Sequence, residues 1–108
     1  DYEVSRSDWS GRPDPDGNVH TFYHSKGGLN DPKYSNAEVD RLLDEARAST
    51  DPAVRKAKYD EFAAIVTDEL PIITLVHQKY LYGFTAKLDG FKAYPDAMIR
   101  LQGVKLND

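Results

Sequence analysis

Val39, Leu42, Leu43 and Ala46 recur at i, i+3, i+4 and i+7 among charged residues, the spacing of a single apolar stripe on a helix. Just ahead of the stripe, Ser35-Asn36-Ala37-Glu38 reads as a capping box. Ser35 accepts from the third helical amide while Glu38 reaches back to the amide of the cap residue. The pattern predicts a helix over residues 36–48. Asp51-Pro52 starts another, with Asp as N-cap and Pro at the first helical position. Its buried face is expected to carry Tyr59, Phe62, Ile65, Val66 and Leu70, and Pro71 ends it by disfavouring helical geometry in the preceding residue. The short turn between the two makes them an antiparallel pair.

Elsewhere the period changes. Tyr2 to Trp9 alternates in character and predicts a strand with Tyr2 and Val4 on one face. Residues 11–18, with two prolines, two glycines and several Asx residues, predict a rigid loop, and His20 to Ser25 a short helical piece broken by Gly27-Gly28. Beyond Pro71, Ile72-Ile73-Thr74-Leu75-Val76 is short and β-branched and predicts a buried strand. Tyr80 to Phe84 predicts a second, Leu88-Asp89-Gly90-Phe91 a turn, and Met98 to Leu101 a weaker strand. Helices therefore precede residue 71 and strands follow it, an α+β pattern without internal repeats.

Composition narrows the class. With 108 residues, 40% hydrophobic and 30% charged, the chain fits one modest globular domain. A net charge of −4 argues against a nucleic-acid partner, which calls for a basic face. No window reaches the about 18 apolar residues of a membrane span. There is no cysteine, so disulfides and thiolate metal sites are excluded. The chain opens on Asp1-Tyr2-Glu3-Val4, neither a signal peptide nor an initiator Met, and an opening strand without a lead-in is expected of a piece of a longer protein.

The order of these segments carries a resemblance. Trp9-Ser10-Gly11 closes a strand, Asp14-Pro15-Asp16 makes a loop, and Tyr34-Ser35-Asn36 opens a helix containing Glu38-Val39-Asp40. Asp51-Pro52, Tyr59, the run from Asp68 to His77, and Leu88-Asp89-Gly90-Phe91 follow. Over nearly the whole chain this resembles the C-terminal quarter of the family 5 extracellular solute-binding proteins, the dipeptide, oligopeptide and nickel binders. The resemblance implies an α/β protein of two lobes that enclose a solute. Residues 1–71 would belong to the second lobe, and residues 72–108 would form a hinge or crossover strand and return to the first. It implies a non-catalytic substrate-binding component of an ABC importer. Its partners would be a small solute (peptide, opine, sugar or similar) and a membrane permease. Its location would be periplasmic, or extracellular and lipid-anchored in a Gram-positive cell.

The resemblance also points to a ligand wall formed by Trp9, Ser10, Gly11, Arg12 and Asp14, with His77 near the hinge. In peptide-binding relatives the Trp is followed three residues later by an Asp that holds the ligand's ammonium group. This chain has Arg12 in that place, and a guanidinium pairs with carboxylates, phosphates or hydroxyls. The residues themselves leave other readings open: Trp9 as core, Arg12 as a solvated charge, Asp14 and Asp16 as turn caps, His77 as a structural histidine. His20 and His24 stand four apart as in zinc sites, but the Glu neighbour of such motifs is missing and no third ligand is evident, unless the fold brings in His77 or Asp16. Neither a metal nor another cofactor is expected. Two rival functions are a small metal-dependent hydrolase using Asp14, Asp16, His20 and His24, and a stand-alone protein-interaction module built on the Tyr-rich stretch 80–94. No G-x-S-x-G, phosphate-loop or dinucleotide motif occurs.

Overall fold

A computed structural model describes residues 3–77 and 79–108. It contains helices α1 (Asp16–Tyr23), α2 (Ala37–Ala48) and α3 (Pro52–Glu69), and a ladder of strands β1 (Leu88–Asp89) and β2 (Lys105–Leu106). Of the described residues, those from 14 to 75 form one compact unit, and those up to 13 with those from 76 onward form a second.

The helical unit is organised by the stripe on α2. Val39, Leu42, Leu43 and Ala46 are all buried, as is Phe62 from α3. Val19, Tyr23, Tyr34, Tyr59, Ile65 and Val66 close around them. Tyr23 from α1 meets Phe62 edge to face, ring centroids 5.1 Å apart, an arrangement the ring quadrupoles favour. Each fully buried aliphatic side chain contributes about 1.5–3 kcal/mol by leaving water. The 36–48 helix, the second helix and their short connection are thus present as expected.

The caps differ in one respect. Asn36, not Ser35, caps α2: its Oδ1 accepts from the amides of Glu38 and Val39 at 3.0 and 3.3 Å. Glu38 does not reach back but holds Arg41 one turn on, at 2.9 Å. Asn36 has the advantage because its Nδ2 also donates to Glu69 at 2.9 Å, so the end of α3 fixes the cap of α2. At α3 the expectation holds, Asp51 accepting from Ala53 and Val54 and Pro52 following it. Leu70, expected in the buried face, is exposed instead. It adopts the left-handed conformation (φ 48°) as the C-cap, which turns its side chain off the stripe.

α1 begins at Asp16, inside the stretch expected to be loop, and ends at Tyr23. The turn after it is closed by buried Asn30, which donates to the carbonyls of His24 (3.2 Å) and Tyr34 (2.7 Å) and accepts from the Tyr34 amide (3.0 Å). Gly27 is required there, since a Cβ would run into the carbonyl of Thr21. Tyr34 Oη then donates to Glu69 at 2.5 Å.

In the second unit, β1 and β2 pair antiparallel, Leu88 opposite Leu106 and Asp89 opposite Lys105. Gly90 leaves β1 with φ 78°, and a Cβ there would strike the Gly103 carbonyl. Phe91 packs against the rings of Tyr82 and Phe84. Other strand expectations fail among the described residues. Segments 4–9, 72–76, 80–84 and 98–101 form no ladder, and Tyr2 and Gln78 lie outside the described residues. Leu75 is 75% exposed, although its stretch reads as a buried strand, and Leu81 is 90% exposed. A strand needs a neighbouring edge to satisfy its amides and carbonyls, and these segments meet none.

Two outcomes follow from the capping network. Asn36→Ala lowers stability by about 1 kcal/mol or more in urea unfolding, whereas Ser35→Ala stays within about 0.5 kcal/mol of the parent. Equal losses would restore the Ser35 cap. Burial, with the neighbouring Glu69 carboxylate, pushes the Tyr34 phenol up from 10.0 to about 12. A raised folded pKa gives stability that is fully present below pH 10 and lost as pH rises through 12. Alkaline unfolding of Tyr34→Phe should therefore lack this component, and an unchanged pH profile between 10 and 12 would refute the linkage.

Candidate functional site

The segment 9–12 is compact in itself. The Arg12 guanidinium lies over the Trp9 ring at 4.7 Å, the distance of a cation–π contact. The same side chain donates to Ser10 Oγ and the Gly11 carbonyl, both at 2.9 Å. Gly11 has φ 68°, which bends the chain so that Arg12 can fold back on Trp9. Trp9 and Arg12 are both exposed, so the pair presents a planar cation stacked on an indole to solvent. Such a surface recognises carboxylates and flat polar groups.

Asp14 belongs to the helical unit and is otherwise engaged. Its Oδ1 accepts from the Asp16 amide at 2.8 Å and from Arg55 at 2.6 Å. Those two bonds hold its carboxyl below the ordinary 3.8, the Asp16 amide being the larger cause. Asp16 is in turn paired with Arg47 through two bonds of 3.0 and 2.9 Å. Arg55 also lies over Tyr59 and, with Thr50 and Lys56, edges a shallow open groove beside Asp14. His77 is exposed.

To the histidine pair the structure adds Asp44. His20 and His24 stack with ring centroids 4.4 Å apart and 14° between planes. The Nε2 atoms of both rings converge on one oxygen of Asp44 from α2, at 3.3 and 3.5 Å. The hydrogen bond from His20 is the main reason the Asp44 carboxyl sits below its ordinary range. The other His24 nitrogen, Nδ1, accepts from the Lys26 amide at 3.0 Å and stands 3.8 Å from Asp40. Asp40 itself takes both the amide and the hydroxyl of Ser25. The four groups of the hydrolase reading thus separate into three pairings: Asp14 with Arg55, Asp16 with Arg47, and the histidines with Asp44. Sequence reasoning found no third partner for the histidines. The signal for it was the spacing of Asp40 and Asp44, which occupy successive turns of α2 one position after Val39 and Leu43.

No protein-family model matches the chain, and no solved structure matches it. Curated proteins do. Protein XP55 of Streptomyces lividans is 36% identical over 81 residues, covering 71% of this chain and 15% of that protein. The probable D,D-dipeptide-binding periplasmic protein DdpA of Escherichia coli is 32% identical over 99 residues, covering 88% of this chain and 19% of that protein. The oligopeptide-binding protein OppA of Bacillus subtilis is 32% identical over 73 residues, 67% of this chain and 13% of that protein. These homologues support the resemblance of the chain to a piece of a family 5 solute-binding protein. The chain spans less than a fifth of the length of each of these relatives. The relatives named for a ligand are named for peptide binding rather than for catalysis.

The pairing of Asp14 is testable by NMR titration of its side-chain carboxyl. In Arg55→Gln the carboxyl should titrate at higher pH than in the parent, yet still below 3.8, because the Asp16 amide remains. A titration identical to the parent's would mean that Arg55 does not hold Asp14 in solution.

Proposed function

We propose that this chain forms part of the non-catalytic substrate-binding component of an ABC importer for peptides or related small solutes. The observation that carries the reading is the match of 88% of the chain to a periplasmic dipeptide-binding protein. In this reading residues 1–71 build part of the second lobe, and residues 72–108 are the crossover strand and its return to the first. The exposed apolar residues of 72–84 and 98–101 support it, because they have the composition of strands whose partner edges a larger sheet would provide.

Trp9, Ser10, Gly11 and Arg12 then form one wall of the solute cleft. By the resemblance, Arg12 would stand where the peptide-binding family has a carboxylate for an ammonium group. The solute is therefore expected to present an anionic or hydroxyl-rich group to this wall, such as the terminal carboxylate of a short peptide or the acid of an opine. Lobe closure around the solute is a shift between open and closed states, driven by the solute's preference for the closed form. The closed form is presented to a membrane permease, in the periplasm or at the outer face of a Gram-positive membrane. Half a cleft does not enclose a ligand, so the 108 residues by themselves bind weakly or not at all.

Calorimetric titration of the complete binding protein with a panel of di- and oligopeptides tests the wall. Arg12→Ala should weaken the best peptide by more than about tenfold, equivalent to about 1.4 kcal/mol. Unchanged affinity would remove Arg12 from the site, and failure of every peptide would remove peptides as the solute class.

A further inference from the structure

We propose that His20, His24 and Asp44 form a binding site for a borderline divalent cation of the Zn²⁺ or Ni²⁺ class. The proposal stands on the geometry of α1 and α2 alone and is independent of the transport reading. In a tetrahedral site with bonds of about 2.0–2.1 Å, neighbouring ligand atoms lie about 3.3–3.4 Å apart. The two nitrogen-to-oxygen separations are 3.3 and 3.5 Å. All three donor atoms fall within 4.8 Å of one another. The side chains are therefore gathered at close to ligand spacing before any ion enters.

The donor set selects the ion. Two imidazole nitrogens and one carboxylate oxygen suit Zn²⁺, Ni²⁺ or Cu²⁺, whereas Ca²⁺ and Mg²⁺ prefer all-oxygen shells. His24 is buried and Asp44 is 64% exposed, so one side of the site is anchored in the fold and the other opens to water for the fourth position.

The surroundings also supply a place for the displaced proton. His24 Nδ1 now accepts from the Lys26 amide, so the ring proton sits on Nε2, facing Asp44. Coordination through Nε2 moves that proton to Nδ1, where the Asp40 carboxylate stands 3.8 Å away. Asp40 would then act as the carboxylate that orients a metal-bound histidine, a common arrangement around metal-ligating imidazoles. The Lys26 amide would have to give up its part-buried bond to Nδ1. Binding also requires the stacked rings to open from their 14° alignment, so that both lone pairs converge on one ion.

The test uses Co²⁺ as a spectroscopic probe and Zn²⁺ as competitor, added to the full chain in a non-coordinating buffer. Expected are one equivalent of Co²⁺ with the intense visible bands of tetrahedral coordination, and their displacement by Zn²⁺. Asp44→Asn and His20→Gln, both confirmed folded by circular dichroism, should each weaken binding by more than about tenfold. Asp60→Asn, whose carboxylate pairs with Lys56 on α3 and is not part of the cluster, should leave it unchanged. Absence of Co²⁺ uptake, or parental affinity in both Asp44→Asn and His20→Gln, would overturn the proposal.

Discussion

The helical unit depends on the contact between the α2 stripe and Phe62. Val39, Leu42, Leu43 and Ala46 are buried almost completely, and no other set of side chains in the described residues is. Once α2 lies on α3, the rest of the unit is positioned by consequence. Asn36 and Tyr34 come within reach of Glu69, Tyr23 is drawn against Phe62, and α1 is held where His20 and His24 face Asp44. The polar face of α2 acquires its chemistry because the apolar face is fixed.

That division explains what could be read in advance. The two long helices are local objects, each specified by a stripe, a cap and a stop, so α2 and α3 emerge within about a residue of expectation. The capping residue was misplaced by one position because Ser35 and Asn36 are both good caps. The tie-breaker, Glu69, lies 33 residues away. The segments 72–76, 80–84 and 98–101 were misread for the complementary reason. Their β-branched and aromatic residues specify a willingness to form strands, but strands exist only with partner edges, which depend on the rest of a sheet. The short β1–β2 ladder, pinned by Gly90 against Gly103, was legible as a turn but not as a pairing.

The candidate site divides in the same way. In segment 9–12 the contact is local, since the residues are contiguous and Gly11 brings Arg12 back over Trp9, but the sequence reading contained no such stacking. Asp14 was named as a ligand residue, and the structure gives it salt-bridge and turn partners, Arg55 and the Asp16 amide. The arrangement at His20, His24 and Asp44 was half legible. The spacing of the histidines was visible, while the carboxylate arrives from another helix through packing that no local motif encodes.

Kinship with peptide-binding proteins and the exposed apolar segments motivate the proposal that these residues are part of a larger binding protein. The size of the native polypeptide tests this most directly. An antibody raised against residues 36–70 should detect, in a periplasmic extract of the source cell, a species several times larger than 12.2 kDa. A species of 12.2 kDa alone would contradict the account and leave a self-contained interaction module in its place.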